Sequence, residues 1–266
     1  MSLTAVPARA SWRIVATVAD VDGRRLIRHP LCIVGGCISL LGIVMFVRTT
    51  ASDHRITWDD DAWTVSAGFI MLAIFTMIAT NLTALRDRRE HTIEQHATLP
   101  VAPAHRTGGL LAATLLPAAV ALVLLGAVAA YAATQVHLTA ADRVHVVAQV
   151  VIVVMLGVFG VALAAWAPNP SVAPLAAWAV VFLTPSEPSH AWQVLAPLTG
   201  MRDAGLSAWH VAYQIGLTTL FATAALARAA RRRTTLVGTV AGFALVIPAA
   251  IVLLARACPV ANRCLF

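Results

Sequence analysis

Apolar residues come along this chain in long unbroken runs, with short polar stretches between them. Seven runs stand out, at about 31–47, 63–85, 108–134, 144–167, 171–184, 208–227 and 236–255. A bilayer core of about 30 Å takes roughly 20 helical residues. Continuous runs favour helices over a membrane barrel, whose strands alternate with period two. The pattern therefore predicts an all-α polytopic transmembrane bundle of six core spans and a seventh, C-terminal span. The fifth run reaches only about 21 Å as a helix. It is followed by Pro185, Pro188 and an apolar stretch at 191–198 able to dip back into the membrane. Ahead of the first run, residues 12–20 mix apolar positions at helical spacing with charges, as an interfacial amphipathic helix does before the chain turns in at His29-Pro30. The organisation expected is an N-terminal amphipathic segment (1–30), a six-span core (31–233) with a polar loop at about 86–107 and a re-entrant region at about 185–207, then a further span and tail (234–266).

Composition sharpens this picture. The 266 residues are 59% hydrophobic and 12% charged, with a mean hydropathy of +0.81. Soluble domains carry about 25% charged residues because their surfaces face water, so much of this surface must face lipid. The net charge of +7 rests on 19 basic residues, all of them Arg. They gather at alternate loops, which marks membrane topology rather than a nucleic-acid face. Arg9, Arg13, Arg24, Arg25 and Arg28 precede the first span, Arg86, Arg88, Arg89 and Arg106 follow the second, and Arg228, Arg231, Arg232 and Arg233 follow the sixth. The opposite side receives Arg48, Arg55, Arg143, Arg202, Arg256 and Arg263, beside Asp53, Asp59, Asp60 and Asp61. The expectation is a multi-pass protein of the cytoplasmic membrane with its N-terminus inside and, after seven spans, its C-terminus outside. Without Lys the chain cannot build a phosphate-binding P-loop of its own.

Candidate chemistry inside the spans is sparse. Thr80, Asn81, Gln149, Tyr213 and Gln214 are the mild polar residues there, candidates either to line a pathway or to bond neighbouring helices. His137, His145, His190 and His210 fall near the outer ends of spans and read as interfacial polar residues. Trp58, Trp63, Trp192 and Trp209 fit an aromatic belt. Cys32 and Cys37 read as packing residues, while Cys258 and Cys264 flank a short tail and are a candidate disulfide pair if that tail is outside. His91 and His96 are five apart with Glu94 between them and diverge by about 140° on a helix, which gives no metal site.

The loop after the second span is the most informative stretch. Asp87 with Glu90 three residues on makes a capping-box pattern, Ile93 and Ala97 share a face, and Pro100 ends the segment. Arg89-Glu90-His91-Thr92-Ile93-Glu94, followed by Thr98-Leu99-Pro100-Val101, resembles the first cytoplasmic loop of type-2 ABC exporter permeases, the group of drug-resistance and polysaccharide-export permeases. That pattern has a Gly before the Thr and no residue between the later Thr and Pro, so this chain departs from it at His91 and Leu99. The N-terminal amphipathic segment and the short fifth run agree with the family, and the resemblance covers residues 10–233. It implies an exporter with no catalytic residue of its own and no cofactor in this chain, and the apolar span interiors suit a hydrophobic or amphipathic cargo. ATP and Mg would be bound by a separate ATPase subunit, and a second permease copy would complete the path. Arg88, Arg89, Glu90, Thr92, Ile93 and Glu94 would couple the permease to that ATPase. The alternative is a non-transport anchoring or assembly subunit whose basic loops recruit a partner or anionic lipid.

Overall fold

The computed structural model describes residues 8–52, 58–86, 102–135, 138–182, 204–230 and 233–257, and among these all regular structure is helical. The helices are α1 (Ala8–Ile27), α2 (Pro30–Ser52), α3 (Trp58–Ala84), α4 (Pro103–Ala113), α5 (Leu115–Gln135), α6 (Ala140–Trp166), α7 (Val172–Phe182), α8 (Ala204–Ala230) and α9 (Arg233–Ala257). Four stretches are long and apolar enough to cross a membrane: Pro30–Thr50, Thr64–Ala84, Pro103–Gln135 and Ala140–Trp166. Helix α8 is as long as α6 but carries His210, Tyr213 and Gln214, and α9 holds a shorter apolar stretch, Val237–Leu253. The outward faces are apolar. Leu40, Leu41 and Val44 on α2, Leu122 and Val123 on α5, and Val237, Val240 and Ile251 on α9 are exposed. Surfaces of this kind are stable against lipid and not against water. The chain is a multi-pass helical membrane protein.

Helices α3, α6 and α8 run parallel at the centre, with α2 antiparallel on α3 and α9 antiparallel on α8. The parallel register is fixed by pairs along the helices: Ser66 meets His145, Thr80 meets Gly157, and Phe159 stacks on Phe221 with ring centroids 4.6 Å apart. Most of the core lies between α3, α5 and α6, around Phe69, Met77, Leu125, Ile152 and Met155. Backbones approach closely because small residues stand at the crossings. At Gly68 a Cβ would sit 3.0 Å from the Ser39 Cα, and the Ser39 hydroxyl lies 2.9 Å from the Gly68 carbonyl. At Gly160 a Cβ would land on the Met77 carbonyl oxygen and Thr80 Oγ1.

The third apolar run differs from its expected form. Residues 108–134 are predicted as one span, whereas α4 and α5 are two helices joined at Thr114. The Thr114 N–H and hydroxyl both donate to the Leu111 carbonyl, at 3.2 and 2.7 Å. Pro117, in the first turn of α5, has no N–H for the Ala113 carbonyl and its ring crowds that oxygen. Together α4 and α5 cover 33 residues, about 50 Å, longer than the core needs. The excess, α4, packs along α1, where Gly109 sits under Val18 and Leu26 is fully buried near Ala79 and Ala113. Helix α1 is therefore held against the bundle as well as being amphipathic. Its exposed face carries Trp12 and the ion pairs Arg24–Asp20 and Arg25–Asp22.

Helix α7 is short, as expected, at 11 residues or about 16 Å. The end of α6, near Arg228, and the start of α8 lie at opposite ends of the bundle, and α7 is the described part of the connection between them. The charges segregate accordingly: Arg24, Arg25, Arg28, Arg86, Arg106 and Arg228 lie at one end, Arg48 and Arg143 at the other.

Candidate functional site

Helix α6 opens with a reciprocal cap. Thr139 Oγ1 accepts from the Asp142 N–H at 3.3 Å, and Asp142 Oδ2 accepts from the Thr139 N–H and hydroxyl at 2.6 and 2.7 Å. The carboxylate thus satisfies donors that the first turn would leave open and sits at the positive end of the helix dipole. One turn inward comes His145, then Gln149 four residues on and on the same face. Helix α8 repeats that spacing with His210 and Gln214. Helices α6 and α8 run parallel, and α3 brings Ser66 against the pair on α6.

All five side chains are buried. Ser66 Oγ lies 2.8 Å from His145 Nε2, and Gln149 Nε2 lies 3.2 Å from both Ser66 Oγ and His145 Nε2. Gln214 Nε2 lies 3.0 Å from His210 Nε2. Each imidazole thus has as its neighbour the amide of the glutamine one turn further along its own helix. Gln149 Oε1 is buried with no partner. Tyr213 is half-buried beside His210, ring centroids 6.4 Å apart.

A second polar group sits at the Arg-rich end of α3. Thr80 Oγ1 donates to the Gly157 carbonyl and Asn81 Nδ2 to the Gly160 carbonyl, at 2.9 and 3.2 Å, while Asn81 Oδ1 is buried without a partner. The candidate pathway residues therefore fall into two groups. Thr80 and Asn81 tie α3 to α6, whereas Gln149, Tyr213 and Gln214 gather around the histidines. Histidines 145 and 210 differ from the interfacial reading: both are enclosed between helices, because each has an amide partner one turn away and needs no water. Sequence inspection missed Ser66 and Asp142. The signal for the cluster was present as His-x-x-x-Gln in two spans, but nothing in the chain showed α3 bringing Ser66 against the pair on α6.

Chemically, a serine hydroxyl 2.8 Å from an imidazole nitrogen has the spacing of a nucleophile and its base. Two features oppose hydrolysis here. Ser66 is fully buried, and it lies within α3, where backbone N–H groups are committed to the helix and leave none to stabilise an oxyanion. What the arrangement does is bind α3 to α6 through Ser66, His145 and Gln149. The coupling residues Arg88, Arg89, Glu90, Thr92, Ile93 and Glu94, the cysteines Cys258 and Cys264, and the re-entrant stretch with Trp192 and His190 lie outside the described residues. Compared with known protein families, with curated proteins and with solved structures, the chain matches none.

Proposed function

We propose that this chain is the transmembrane permease subunit of an ATP-driven ABC exporter that moves a hydrophobic or amphipathic substrate across the cytoplasmic membrane. The observation that carries the reading is the collar at the Arg-rich end. Amphipathic α1, the last third of α3 and α4 pack together: Leu26 clusters with Ala79 and Ala113, and Gly109 lies under Val18. The loop that resembles the exporters' coupling segment leaves and returns at that collar. A force applied to the loop would act on α1, α3 and α4 as one body, and α3 passes it to α6 through Thr80 and Asn81. Such an arrangement suits energy supplied from outside the membrane through a docked element. The Arg-rich end, with the N-terminus, faces the cytoplasm in this reading. The partners are an ABC ATPase subunit, which holds ATP and Mg, and a second permease copy.

The test is to isolate the tagged chain from its native membrane under mild extraction and assay the eluate for ATPase activity. The expected result is a stoichiometric soluble ATPase that is lost with Glu90→Ala/Glu94→Ala, while the variant still inserts. A clean preparation without ATPase from several mild detergents would overturn the exporter reading in favour of an anchoring subunit.

A further inference from the structure

We infer that Trp166 and Arg228 form a binding site for the phosphate headgroup of an anionic phospholipid at the Arg-rich end of the bundle. The membrane-length stretch Ala140–Trp166 ends on Trp166, and Arg228 lies in the last turn of α8. Both residues therefore stand where a span leaves the hydrocarbon and meets the headgroups. Trp166 is 61% exposed. An indole this open suits the boundary between lipid and water, where one end of the ring is in apolar surroundings and the other is wet.

The indole is fixed in place. Its Nε1–H donates to the Ala224 carbonyl of α8 at 2.9 Å, which ties the ring to α8 one turn before Arg228. Positions 224 and 228 share a face of the helix, and the guanidinium comes over the ring, with its Cζ 5.9 Å from the ring centroid. The ring attracts the cation through its quadrupole and offers it no oxygen. Among the described residues no carboxylate pairs with Arg228 either. The contact thus positions a charge whose N–H fork still wants an acceptor. A phospholipid phosphate is a diester with two unesterified oxygens, and a guanidinium fork takes such a pair in two parallel bonds.

The surroundings favour an anion. The carboxylates described at this end of the bundle are Asp20 and Asp22, and they pair with Arg24 and Arg25. A further Arg stands close in the fold: Arg106 belongs to α4, which packs on α8 where Leu110 clusters with Ala225. Basic residues at membrane depth draw anionic lipids to the leaflet they face. A lipid answers the whole arrangement, because its phosphate meets Arg228 while its glycerol and upper chains cover the indole. A soluble phosphate would meet the charge alone and leave the exposed ring in water.

The experiment places the full chain in bilayers of phosphatidylcholine and phosphatidylglycerol, with a nitroxide near the glycerol end of the chains of one lipid or the other. The fluorescence of Trp166 is taken as the difference between each protein and its Trp166→Phe counterpart. The expected result is that labelled phosphatidylglycerol quenches this signal with about fivefold preference over labelled phosphatidylcholine, the size expected of one Arg at an anionic headgroup. Arg228→Gln should abolish the preference, and Arg228→Lys, which keeps the charge without the fork, should retain part of it. Equal quenching by the two lipids in the wild type would overturn the inference, as would a preference that survives Arg228→Gln. Quenching by neither lipid would overturn it too, because the ring would then be covered by protein. Loss of the preference on adding inorganic phosphate, against chloride at the same ionic strength, would assign the site to a soluble phosphate and overturn the lipid.

Discussion

At the scale of single residues, small side chains decide where helices can touch. Gly160 lets the α6 backbone lie against the Met77 carbonyl and the Thr80 hydroxyl, and only this closeness brings Thr80 and Asn81 within reach of the Gly157 and Gly160 carbonyls. Replacing Gly160 with Val would push the helices apart and break both bonds. The expected loss is about 2 kcal/mol or more, seen as a lowered unfolding temperature of the purified protein in detergent. Retention of the wild-type value would show that the crossing is looser than described. His29 gives a pH effect. It stands between α1 and α2, half-buried, with Nδ1 accepting the Leu31 N–H at 3.3 Å, and burial holds its pKa below the ordinary 6.5. The folded state therefore binds the proton more weakly than the unfolded state, and this contribution is present above pH 6.5 and lost as pH falls through the folded value. His29→Gln should weaken the fall in unfolding temperature below that pH, measured side by side with the wild type. Parallel profiles would remove His29 from the account.

At the scale of elements, what the sequence displayed and what it hid separate clearly. The apolar runs marked helical segments, four of them long and apolar enough to span, because a lipid environment leaves the backbone no other partners, and the short fifth run appeared as an 11-residue helix. The break at Thr114 was not visible in hydropathy, since α4 and α5 are continuous in apolar character and only the Thr114 and Pro117 backbone chemistry divides them. The Thr139–Asp142 cap was likewise legible in principle as a short pattern before an apolar run, but it was not singled out. Its removal by Thr139→Ala should cost about 1 kcal/mol. Thr139→Ser, which keeps the hydroxyl, should restore most of that. Equal losses in the two variants, compared by thermal unfolding, would show that the cap contributes nothing to the stability of α6.

At the scale of the whole molecule, the chain by itself determined its solvent. With 59% hydrophobic and 12% charged residues it cannot cover its surface with polar groups, and the segregation of Arg separates the two ends of the bundle. These are properties of composition and order, and they need no knowledge of which helices touch. The polar clusters were different. Thr80, Asn81, Gln149, Tyr213 and Gln214 were recognisable as polar residues in apolar runs, but the runs carry no information about their partners. Ser66 and His145 stand 79 positions apart in the chain and 2.8 Å apart in space. Their meeting depends on α3 and α6 running parallel and in register. That register is set by complementary packing at crossings such as Gly160 on Met77, and by the way chain connections cross the bundle. Periodicity and hydropathy are local quantities, so they fixed which segments are helical. Proximity between segments is a long-range quantity, and only the packed tertiary structure decided which polar groups would share one buried site.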